Sequence, residues 1–135
     1  MKFEVLDHVS DVGLRFFGHS FKALLNSAMK GTAYLIGDRD AYSMPIKKTV
    51  RLRFKTPEDL MIQILAKVVY FFDTERIILN HAENIPEIFP GQARITLTGY
   101  KVGPKFNYRY LLKSPTYYDF FLSPEKGYGE IIYDI

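Results

Sequence analysis

Thr56, Pro57, Glu58 and Asp59 mark the start of a helix more clearly than any other stretch of this chain marks an element. A threonine hydroxyl caps free amides, proline loses nothing at the first helical position, and two acids face the positive end of the helix dipole. The apolar positions that follow, Leu60, Ile64, Leu65, Val68, Phe71 and Phe72, cover a wide arc of the helix instead of a narrow stripe. Such a helix belongs between layers, and the remainder of the chain has to provide them.

That remainder reads mostly as strand. FEVL suits a short strand, and after the polar break DHVSD the segment VGLRFFG places Val12, Leu14 and Phe16 on one side. From Ser20 the period changes: Phe21, Leu24, Leu25, Ala28 and Met29 recur at helical spacing, with Ser20 as the cap and an end near Gly37. GDRDAYSMP is a loop by its turn-forming residues, after which IKKTVRLRFK alternates Val50, Leu52 and Phe54 with Arg51, Arg53 and Lys55. RIILN resembles a strand and ENIPEIFPG is irregular because of its prolines. ARITLTGYKV, NYRYLLK, TYYDFFL and YGEIIYDI then read as strands parted by the turn signals GP, SP and PEKG. The last of them has Ile131 and Tyr133 on one side and Ile132 on the other, which puts it inside a sheet and anchors its end. The expected fold class is α+β, a single domain over residues 1–135 with two helices packed against mostly antiparallel sheet.

Composition narrows the function. A 47% hydrophobic share of 135 residues supports one buried core, and zero cysteines exclude disulfides, thiolate metal sites and cysteine nucleophiles. Charge interrupts every apolar run before the roughly 20 residues a membrane span needs. The opening MKFEVLDH carries acids where a secretory signal needs apolar residues, so the expected location is the cytoplasm. A net charge of +3 does not by itself diagnose nucleic-acid binding. There is no Gly-rich phosphate loop and no GxSxG turn, and the histidines have no nucleophile beside them, so no catalytic residue is assigned and enzyme activity is not expected.

Two oxygen-rich clusters remain. Asp7, His8, Ser10 and Asp11 crowd the break DHVSD, which reads either as a turn bonded to its own backbone or as a set of ligands; His8 is not assigned as one. At the other end Asp134 sits beside the α-carboxylate of Ile135, either as a solvated terminus or as an anionic pair that asks for a cation. Oxygen donors of this kind favour calcium or magnesium over zinc. Arg51, Arg53 and Lys55 form a positive stripe, readable as a solvated sheet face or as a partner for RNA phosphates. Tyr108, Arg109, Tyr110, Tyr117 and Tyr118 suit either base stacking or cross-strand packing.

Four blocks in fixed order carry a resemblance: HVSDVGLRFFG, the apolar helix ending in FDTE, the segment KSPTYYDF, and the closing DI. With them the chain resembles archease, the small protein that assists the RtcB-type RNA-splicing ligase, whose HTADVG block looks like HVSDVG here. The resemblance covers nearly the full length. It implies a metal site built from Asp11, Asp134 and Ile135, holding calcium, or magnesium or another divalent cation in its place. It also implies a partner, an RtcB-type RNA ligase whose guanylylation and multiple turnover are promoted in tRNA splicing and RNA repair, with RNA met through the ligase and no membrane involved. Where many members have His after the tyrosine of the third block, this chain has Tyr118, so that role is not transferred. The helix likewise reads ILAKVVYFFDTE where WLNELLYLFDTE is commoner. The alternative reading is an RNA-binding module that uses the basic strand face and the Tyr-rich strands. A metal-dependent hydrolase comes third, lacking a general base and a second set of metal ligands.

Overall fold

The computed structural model describes residues 2–7, 9–38, 43–86 and 91–135. Its elements in chain order are β1 (Phe3–Asp7), β2 (Asp11–Phe17), α1 (Phe21–Ile36), β3 (Gly37–Asp38), β4 (Met44–Phe54), α2 (Pro57–Glu75), β5 (Ile77–Glu83), β6 (Gly91–Lys101), β7 (Asn107–Tyr108), β8 (Ser114–Ser123) and β9 (Tyr128–Asp134). Both helices start where their caps predict. Ser20 Oγ accepts from the Ala23 amide at 3.1 Å, and Thr56 Oγ1 from the Asp59 amide at 3.0 Å. Asp59 returns a carboxylate oxygen to the Lys55 amide, which tightens the turn ahead of α2.

The strands form a four-stranded sheet in the order β1-β2-β9-β8, a three-stranded sheet β4-β6-β5 and the small pair β3-β7. Every pairing is antiparallel. The interior position expected for the last strand is found, with β9 between β2 and β8. Each helix touches both larger sheets: α1 lies on β1, β2 and β5, and α2 on β8, β4 and β5. This arrangement explains the wide apolar arc of α2. Met61, Ile62 and Val69 are buried along with Leu60, Ile64, Leu65, Val68 and Phe72, while Phe71 is half-buried at the margin. Val12, Leu14 and Phe16 of β2 are fully buried in the same cluster.

Tyr133 ties β9 to α1. The ring is completely buried and its hydroxyl lies 2.6 Å from Thr32 Oγ1. The Thr32 hydroxyl donates to the Ala28 carbonyl at 2.8 Å, so the proton in the shared bond comes from Tyr133. Burial pushes the Tyr133 phenol far above its ordinary pKa.

One expected strand is mostly absent. In NYRYLLK only Asn107–Tyr108 pairs, with β3. The next amides are used elsewhere: Arg109 and Tyr110 donate to the carbonyls of Ile36 and Leu35 at 2.9 Å each. They satisfy the end of α1, where free carbonyls need donors, in preference to extending a ladder. The expected TYYDFFL strand exists as β8, but its register with β9 shifts between Thr116 and Phe121. Asp119 within that interruption takes a left-handed φ of 53°. The expected loop GDRDAYSMP begins instead with β3, and its residues 39–42 lie outside the described residues, as do 87–90 of ENIPEIFPG.

Candidate functional site

The register of β2 with β9 sets Asp11 opposite Asp134, followed by Val12 opposite Tyr133 and Leu14 opposite Ile131. Directly opposed residues in an antiparallel pair project from the same face, with Cβ atoms about 4.5–5.5 Å apart. Val12, Leu14, Ile131 and Tyr133 occupy the core side, so alternation places Asp11 and Asp134 together on the other. Oδ1 of Asp11 is buried and Asp134 is exposed. β8 adds Ser114 opposite Asp134, and the Lys113 amide donates to the Asp134 carbonyl at 2.8 Å. Ile135 is half-buried and packs on the core. The three residues expected at a metal site therefore sit at one end of the four-stranded sheet, the two acids drawn from its two middle strands.

The other described residues of DHVSD are engaged elsewhere or exposed. Asp7 pairs with Val12 and its carboxylate accepts from the Tyr110 hydroxyl. Val9 and Ser10 are exposed at the tip, and His8 lies outside the described residues. Two carboxylates, main-chain oxygens and the Ser114 hydroxyl are hard donors, and that chemistry fits calcium or magnesium. Among the described residues no three His, Asp or Glu side chains gather to hold a metal, so a cation here would take its further ligands from main-chain oxygen, hydroxyl and water. Like charges placed directly opposite across a ladder destabilise it, which gives the pair a physical reason to attract a cation.

A second charged region lies on the three-stranded sheet. Arg51 and Arg53 are exposed on β4 and Lys55 just beyond its end, as the alternation predicts. The register adds what strand alternation had not: Arg94 of β6 stands directly opposite Arg51, Gln92 opposite Arg53 and Thr96 opposite Thr49. Arg94 alternates with Ile95 in the sequence, which reveals its face but not its neighbour. Arg51, Leu52, Arg53, Gln92, Ala93 and Arg94 line a shallow depression of about 570 Å³.

The tyrosines grouped with this stripe by composition are mostly engaged. Tyr108 packs edge-on against Phe72 and Phe106 and bonds Arg76. Tyr117 donates to Asp59 at 3.2 Å, and burial, then the Asp59 charge, raises its pKa. Tyr118 is exposed.

Two helices lodged against antiparallel sheets, with paired carboxylates at the end of the middle strands, define a small mixed α+β class. The model described as Archease protein family (MTH1598/TM1083) matches residues 3–135, and the chain belongs to the archease family. It is 30% identical over 135 residues to Protein archease of Thermoplasma acidophilum, covering 100% of this chain and 94% of that one. It is also 30% identical over 135 residues to Protein archease of Thermoplasma volcanium, with 100% of both chains covered. Two solved structures share the fold. The solution structure of Methanobacterium thermoautotrophicum protein 1598 has a TM-score of 0.76 at 19% identity, covering 99% of each chain. The crystal structure of an archease, possible chaperone, from Thermotoga maritima has a TM-score of 0.65 at 14% identity, covering 98% of this chain and 96% of that one. No helix among the described residues is long and apolar enough to cross a membrane.

Proposed function

We propose that this protein is a cytoplasmic, non-enzymatic cofactor of an RtcB-type RNA ligase, promoting the ligase's guanylylation and repeated turnover in tRNA splicing and RNA repair. Family membership supports the assignment, and the observation that carries it to particular atoms is the opposition of Asp11 and Asp134. In this reading Asp11, Asp134 and a main-chain oxygen of Ile135 hold a divalent cation, calcium or magnesium, which when bound neutralises the two acids. The carboxylate end of the sheet docks at the mouth of the ligase's metal-bearing site and orders the groups that react there. β9 suits that role because Tyr133 and Ile135 hold the strand on either side of Asp134, so the acid is presented without the entropy loss of ordering a free chain end.

The test is ligase guanylylation and multiple-turnover RNA joining with Asp11→Asn and Asp134→Asn variants whose fold is checked by circular dichroism. Loss of stimulation is expected for both. Stimulation equal to the unmodified protein would overturn the proposal.

A further inference from the structure

Six of the chain's arginines fall in described residues, and they divide into two groups. Arg15 pairs with Glu130 and Glu4, Arg109 with Asp38 and the Tyr34 ring, and Arg76 lies over Phe72 and Tyr108. Arg51, Arg53 and Arg94 have no ion-pair partner among the described residues, and all three share the exposed face of the β4–β6 pair. Arg51 and Arg94 are directly opposed, an arrangement that costs stability unless an anion sits between them. Around them on this face are Thr49, Thr96 and Gln92, hydrogen-bond donors, with Lys47 further along β4 and a single acid, Glu83 of β5, opposite Thr96, and with no aromatic side chain among them. A protein partner's interface is built around buried aromatic or aliphatic anchors, whereas a nucleic-acid interface is polar and strongly positive. Guanidinium forks match phosphate oxygens two at a time, and hydroxyl and amide groups supplement them. Successive side chains on one face of β4 are about 6.8 Å apart, so Arg51 and Arg53 can meet different phosphates of an extended strand.

We propose that this face, centred on Arg51, Arg53 and Arg94, binds the phosphodiester backbone of single-stranded RNA. The anion site follows from the charges alone; the choice of RNA as the polyanion rests on the proposed partnership with an RNA-joining enzyme. The face is on a different sheet from Asp11 and Asp134, so the two can be disabled separately.

The experiment is fluorescence anisotropy of a labelled oligouridylate with the full chain, without ligase, across a salt series. The three arginines should contribute about 2 to the log–log salt slope, at about 0.7 per phosphate of a single strand. Arg51→Gln combined with Arg94→Gln should make it shallower by about 1.4 and weaken binding. An Arg94→Glu variant, which creates an opposite-charge pair with Arg51, should weaken binding while leaving the melting temperature no lower. Unchanged affinity and slope in either variant would overturn the proposal. So would an acidic polyglutamate probe that binds as tightly as RNA with the same arginine dependence, since the occupant would then be an acidic protein surface. Guanylylation of the ligase measured without RNA should be the same for the arginine variants and the unmodified protein, so a failure here is distinguishable from a failure of the carboxylate proposal.

Discussion

The two larger sheets each break the same electrostatic rule, with opposite signs. On the four-stranded sheet Asp11 faces Asp134, and on the three-stranded sheet Arg51 faces Arg94. The next row but one from Asp11 obeys the rule: Arg15 lies between Glu4 and Glu130 across three strands, and its pKa is raised by the Glu130 hydrogen bond. A sheet able to build that alternating row does not need like charges opposed elsewhere. The comparison teaches that one pair fits a cation and the other an anion. Their surroundings differ as well, because the acidic pair is fastened to the core through Tyr133 and Ile135 whereas the arginines lie on a β4–β6 face open to solvent.

Cation addition should separate the two regions most strongly. With calcium a hundredfold above its Kd the unmodified protein should gain about 2.7 kcal/mol, read as a rise in melting temperature, and Asp11→Asn should gain almost nothing. An equal rise in both would remove the cation from the acidic pair.

Tyr133→Phe tests the anchoring of β9 and should cost about 1–2 kcal/mol in urea denaturation, because Thr32 loses its buried donor. It should also change the alkaline limb. A phenol whose folded pKa is raised above the ordinary 10.0 favours folding fully below that pH and ceases to as pH climbs towards its folded value. Stability should therefore fall above about pH 10 in the unmodified protein and fall less steeply in Tyr133→Phe. The same slope in both would show that other groups control the limb.

The smallest effect sharpens the comparison itself. Without added cations, Asp134→Asn and Arg94→Gln should each stabilise the protein by about 0.2–1 kcal/mol in thermal melts, since each removes a like-charge opposition. Destabilisation by either would mean that its pair is not repulsive.

Much of this fold is legible in the sequence because caps and alternation are local. Thr56 and Ser20 start helices within a few residues of themselves, and Val12, Leu14 and Phe16 declare their buried face by period alone. NYRYLLK misleads because its strand-like residues spend their amides on the carbonyls of Leu35 and Ile36, a competition invisible until α1 and that segment meet. The candidate site was half legible. Residue pattern found acids near both ends of the chain, and family resemblance joined them, but neither contains the register.

By itself the sequence determined both helices and most of the strands, which of their faces would be buried, and which charges would lie outside. Only the tertiary structure decided that Asp11 would meet Asp134 and Arg51 would meet Arg94. The physical reason is that a side chain's face depends on its own strand's period of two, whereas its neighbour depends on where a distant strand docks, and that is set by packing of the whole core.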